Sequence, residues 1–117
     1  MQDKEEKITF TKFKWECIKI FSKLIGDIEV LLKIKSYENY YDKYKKILEK
    51  IKKWSVITFQ KDDLSFISRE ELLDMYENIE SLRDTILFDK NFGYESEVAD
   101  EIYIWYWNLM QLRKVNS

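Results

Sequence analysis

The chain has no proline and only two glycines, at 26 and 93, in 117 residues. A fold with many tight turns needs residues that fix or free the backbone at each reversal, and this sequence has almost none to offer. Long uninterrupted helices are what such a chain can build. An apolar fraction of 45% beside a charged fraction of 36% is that of a folding chain, and the length suits one domain over residues 1–117.

Helical periodicity bears this out along the chain. From about Thr9 to Lys35, Phe10, Phe13, Cys17, Phe21, Leu24, Ile28 and Leu31 recur at spacings of three and four, widened by Ile18, Ile25 and Leu32. Gly26 inside this stripe costs about 1 kcal/mol relative to Ala or marks a close helix crossing. Residues 1–8 read as a flexible N-terminal tail. A second helix starts near Ser36 as its N-cap, with the stripe Tyr37, Tyr40, Tyr41, Tyr44, Ile47, Leu48, Ile51 and Trp54. Residues 55–67 form the longest connection and carry enough apolar side chains to pack down; VITF within them allows a short extended piece. The third helix opens on a capping box, Ser68 with Glu71, and on a hydrophobic staple, Ile67 with Leu72. Its core face is Leu72, Tyr76, Ile79, Leu82 and Ile86. DKNFG at 89–93 is a turn, and the last helix runs from about Ser96 to Lys114. The expected fold is all-α: an antiparallel bundle of about four helices with one longer loop.

The last helix raises a question of its own. Val98, Ile102, Trp105, Leu109 and Leu112 fall on one arc, and Ala99, Tyr103, Trp107 and Met110 on a second about a third of a turn away. The second arc is either buried by a central position in the bundle or offered to another protein, for which Trp, Tyr and Met are suited.

Missing residue types close off much chemistry. Without histidine there is no Ser-His-Asp or Cys-His catalysis and no His-ligated metal. Two isolated glycines build no phosphate cradle. The single cysteine, Cys17, lies on the core stripe as a small hydrophobe and fits a reducing compartment, so a cytoplasmic location is expected. The charged N-terminal segment lacks the pattern of a signal peptide, and no membrane span is expected. Residues 89–100 place acidic side chains at calcium-loop spacing, but Tyr94 stands where that loop needs glycine and Asp100 where it needs glutamate. Glu77 and Glu80 form an E-x-x-E pair that points outward. No cofactor or metal and no enzymatic activity are expected.

Charge is divided between the halves. Residues 1–54 hold 14 Lys against 9 Asp/Glu, net +5; residues 55–117 hold 6 Lys/Arg against 13 Asp/Glu, net −7. On the third helix Glu70, Asp74, Glu77 and Asp84 form a ridge opposite the core, fitted to attract a basic partner. On the second, Lys43, Lys46, Lys50 and Lys53 form the opposite stripe, the feature a nucleic-acid binder would use; tyrosines placed in the core and a net acidic chain weigh against that. The expectation is a small binding protein that inhibits a basic target by occlusion, in the manner of an immunity protein neutralising a nuclease-like toxin. Its expected contacts are Glu70, Asp74, Glu77, Asp84, Tyr103, Trp107 and Met110. A helical homodimer, or an inhibitor of a host defence nucleoprotein, is the alternative.

Overall fold

The computed structural model describes residues 2–33, 38–61, 64–90 and 93–115, with 2–13, 38–40, 89, 90 and 115 described as backbone only. Four helices account for nearly all of them: α1 (Gln2–Lys33), α2 (Glu38–Thr58), α3 (Arg69–Lys90) and α4 (Tyr94–Val115). The expected all-α four-helix bundle is the fold. A helix of 32 residues is about 48 Å long, so α1 sets the 54 Å long axis of the molecule. α1 packs on both α2 and α4, and α4 packs on α3. Across the α3–α4 pair, bonded partners rise from 67 to 83 on one side while they fall from 113 to 100 on the other, as antiparallel neighbours must.

Three boundaries differ from the sequence reading. Residues 2–8, expected as a tail, belong to α1; QDKEEK consists of residues that tolerate a helix well and has nothing to break it. The expected loop 55–67 is shorter, because α2 continues through Thr58. Val56, Ile57 and Thr58 have low helix propensity, but packing overrides it: Thr58 is buried, and its hydroxyl donates to the Trp54 carbonyl at 2.9 Å. No extended piece forms at VITF. The expected turn at 89–93 is likewise narrower, since α3 runs to Lys90 and α4 starts at Tyr94. Amides of Ser96 and Glu97 donate to the Gly93 carbonyl there. Ser36 and Tyr37 lie outside the described residues, as do the side chains of Phe10, Phe13 and Tyr40.

The core is one cluster drawn from every helix. α1 contributes Cys17, Phe21, Leu24, Ile28 and Leu31 on the expected stripe, and burial pushes the Cys17 thiol up to about 12. α2 contributes Tyr44, Ile47, Leu48, Ile51 and Trp54, while Tyr41, expected on the stripe, is exposed. A Cβ built on Gly26 meets nothing within 4 Å, so this glycine marks no close crossing. The connection into α3 does pack down, through Leu64 and Ile67, both fully buried, although Val56 and Phe59 stay exposed. The start of α3 shows the Ser68 half of the expected capping box. The Glu71 amide donates to Ser68 Oγ at 3.4 Å and the Leu72 amide to the Ser68 carbonyl at 2.9 Å. The Glu71 carboxylate pairs with Lys50 and so ties α3 to α2.

Candidate functional site

The core line of α4 runs between the two apolar arcs of its sequence. Ala99, Ile102, Tyr106, Leu109 and Arg113 are buried, Trp105 and Leu112 flank them towards α1, and Tyr103 and Met110 flank them towards α3. Tyr106 and Arg113 are buried because each brings a polar atom to a backbone carbonyl. The Tyr106 hydroxyl donates to Leu72 O at 2.6 Å, and Arg113 Nε donates to Ile67 O at 2.9 Å. Burial also pushes the Tyr106 phenol above its ordinary pKa. The second apolar arc is thus mostly the flank that meets α3.

On that flank the seven expected contact residues separate into two groups. Tyr103 is engaged within the fold. Its hydroxyl lies 2.6 Å from that of Tyr76, the two rings are 5.5 Å apart, and the Arg83 guanidinium stacks on its ring at 3.8 Å. The hydrogen bond from Tyr103 is the main cause that raises the Tyr76 pKa. Asp84 is exposed but held by Arg83, whose Nη2 lies 2.9 Å away. Arg83 also reaches Asp100 at 3.6 Å. These groups knit α3 to α4 and leave little to offer a partner.

Glu70, Asp74 and Glu77 are different. All three are exposed, and none forms an ion pair among the described residues. Beside them, Leu73 is 49% exposed and Trp107 45% exposed. These two side chains and Met110 line a groove of about 370 Å³ where the first turns of α3 meet the last turns of α4. Glu70, Leu73 and Glu77 are spaced by three and four, so these two carboxylates stand on the same side of α3 as Leu73, outside the groove's own lining. Leu73 was missed in the sequence. The doublet Leu72–Leu73 held the clue, because two consecutive residues on a helix lie 100° apart and only one can point to the core.

A second groove, of about 470 Å³, lies between α1 and α4 along Glu16, Lys19, Trp105 and Leu112, with Lys19 Nζ 5.8 Å from the centre of the Trp105 ring. On α2, Lys43, Lys46 and Lys53 are exposed, whereas Lys50 is paired with Glu71 and Lys52 with Glu29. The calcium-spaced segment is taken up mainly by the two helix ends; Glu77 is exposed as expected, whereas Glu80 is half-buried and hydrogen-bonded to Tyr76. Among the described residues no group of three or more acidic or sulfur side chains could hold a metal ion. No helix there is long and apolar enough to cross a membrane.

Comparisons with protein-family models, curated proteins and solved structures find no match to this chain.

Proposed function

We propose that this chain is a binding protein that acts by covering a basic partner, with Glu70, Asp74 and Glu77 supplying the attraction and Leu73, Trp107 and Met110 the apolar contact. One observation carries the reading: three exposed carboxylates, without ion pairs among the described residues, stand on the helix that presents Leu73 to a groove shared with Trp107 and Met110. Exposed charges raise the encounter rate and select the sign of the partner, while buried aromatic and aliphatic contacts hold it. A rigid helical platform keeps the cost of ordering low. In this reading the chain performs no reaction. An immunity protein occluding a nuclease-like toxin is the specific form we favour, since a nuclease carries the cationic surface that such a ridge complements.

The test is retention of a protein from the source-cell lysate by three folded forms of the chain: wild type, Glu70/Asp74/Glu77→Lys, and Leu73→Ser/Trp107→Ala. Circular dichroism checks each fold. A basic protein held by the wild type and released by both variants supports the reading, with affinity falling as salt rises. Undiminished retention by the charge-reversed chain sinks it.

Leu73 and Trp107 also favour a second reading, self-association through the same face, since large exposed apolar side chains grouped on one surface mark contact sites. Sedimentation equilibrium decides that reading: a mass near 14.4 kDa at high protein concentration excludes it.

A further inference from the structure

Arg113 is 8% exposed, and among the described residues its Nε has the Ile67 carbonyl as partner. Its Nη1 is buried with no hydrogen-bond acceptor, and no carboxylate of the described residues pairs with the guanidinium. A buried charge without a counter-charge is among the costlier things a fold can contain. The same arginine lines the groove beside Leu73, Trp107 and Met110, and Arg69 stands exposed at its mouth. The lining is half apolar, through Leu72, Leu73, Trp107 and Met110, and half polar, through Gln111 and the cations Arg69, Arg113 and Lys114, and the volume suits a small ligand.

We propose that this groove binds a small amphipathic carboxylate. The apolar body rests on Leu73, Met110 and the Trp107 ring, and the carboxylate meets Arg69 and Arg113. A planar carboxylate matches the guanidinium fork of the exposed Arg69 and brings a negative charge close to Arg113, whose Nε is committed to Ile67 O and whose Nη1 is buried. The neighbouring ridge sets an upper limit on charge. Glu70, Asp74 and Glu77 repel a phosphodiester chain or any polyanion, so a single negative charge on an apolar body is what the site admits. This inference does not depend on the proposed basic partner, because it rests on the cations within the groove rather than on the carboxylates outside it.

The experiment is an NMR titration of the full chain, at low salt, with 4-phenylbutyrate and separately with its neutral amide. Resonances are followed for the Trp107 indole N–H and the Met110 methyl, the latter assigned with Met110→Leu. Both signals are expected to shift and saturate with the carboxylate, and the amide to bind at least tenfold more weakly. Arg69→Gln, an exposed change, is expected to weaken the carboxylate several-fold and leave the amide unchanged. Neutralising the ridge with Glu70/Asp74/Glu77→Gln leaves carboxylate binding equal or tighter, so a failed partner assay and a failed groove remain distinguishable. Arg113→Lys keeps the charge but removes the bond to Ile67 and can unsettle the fold; the comparison of acid with amide on the wild-type chain therefore decides. Equal affinity for acid and amide, or no movement of either resonance at millimolar ligand, overturns the proposal.

Discussion

The two flanks of α4 are held by different physics. Towards α1, α4 meets a helix that buries Cys17, Phe21, Leu24, Ile28 and Leu31, and apolar burial and dispersion act there beside the Lys19 cation near the Trp105 ring. Towards α3, four residues of α4 carry specific polar contacts as well: Asp100 with Arg83, Tyr103 with Tyr76, Tyr106 with Leu72 O, and Arg113 with Ile67 O. Apolar burial is strong but indifferent to small slips along the helix axis. Directional bonds contribute less energy each, yet they are satisfied at one register only. The first seam is therefore expected to supply most of the stability, and the second to fix where α3 stands and hence the shape of the groove at its N-terminal end.

Substitutions can break or sharpen this contrast. The largest effect is expected on the α1 seam, where Leu24→Ala or Ile28→Ala, both at fully buried positions, should cost about 2–5 kcal/mol in chemical denaturation. Losses below 1 kcal/mol at both positions would mean that this seam is not the main source of stability. Next comes Tyr106→Phe, which deletes the bond to Leu72 O while keeping the ring. About 1–3 kcal/mol is expected, with amide exchange faster in the first turns of α3 than in α1. Smaller again is the coupling between Tyr76 and Tyr103. A double-mutant cycle with Phe at each position should return about 0.5–1.5 kcal/mol, and a value near zero would remove that pair from the set that fixes register.

The smallest effect concerns Asp27 on α1, which is half-buried with Oδ2 unpartnered. Burial chiefly, and then the Glu101 carboxylate, push its pKa up to about 6, with Lys23 opposing. The folded chain therefore holds this proton more tightly than the unfolded chain, whose ordinary value is near 4. Stability from this group is fully present below pH 4 and is lost as pH rises through 6. Asp27→Asn should flatten the slope of stability between pH 4 and 7, by an amount limited by the water still in contact with the side chain. An unchanged slope would show that Asp27 titrates normally.

How far the sequence could be read follows the same division. Stripes of Leu, Ile and Phe on α1, α2 and α3 put the core where it is, because apolar side chains have one good place to go. The capping box at Ser68 marked the start of α3 to the residue. On α4 the reading slipped by about half an arc, since Tyr106 and Arg113 are polar by type and are buried only through carbonyls 34 and 46 residues away. Periodicity carries no information about such pairings. The ridge residues Glu70, Asp74 and Glu77 were legible for the same reason the core was, as the face opposite the stripe. The engagement of Tyr103 and Asp84 was not, because it depends on where Arg83 and Tyr76 point.

The bond from Arg113 to Ile67 has a consequence in time. During synthesis the Ile67 carbonyl leaves the ribosome long before its donor is made, so the connection into α3 stays unfastened until almost all of α4 has emerged. Leu64 and Ile67 then become buried, and the groove takes its shape, as one of the last acts of folding. A nascent chain arrested before residue 113 is expected to be cut by protease near residues 64–68, and one released beyond it to be protected.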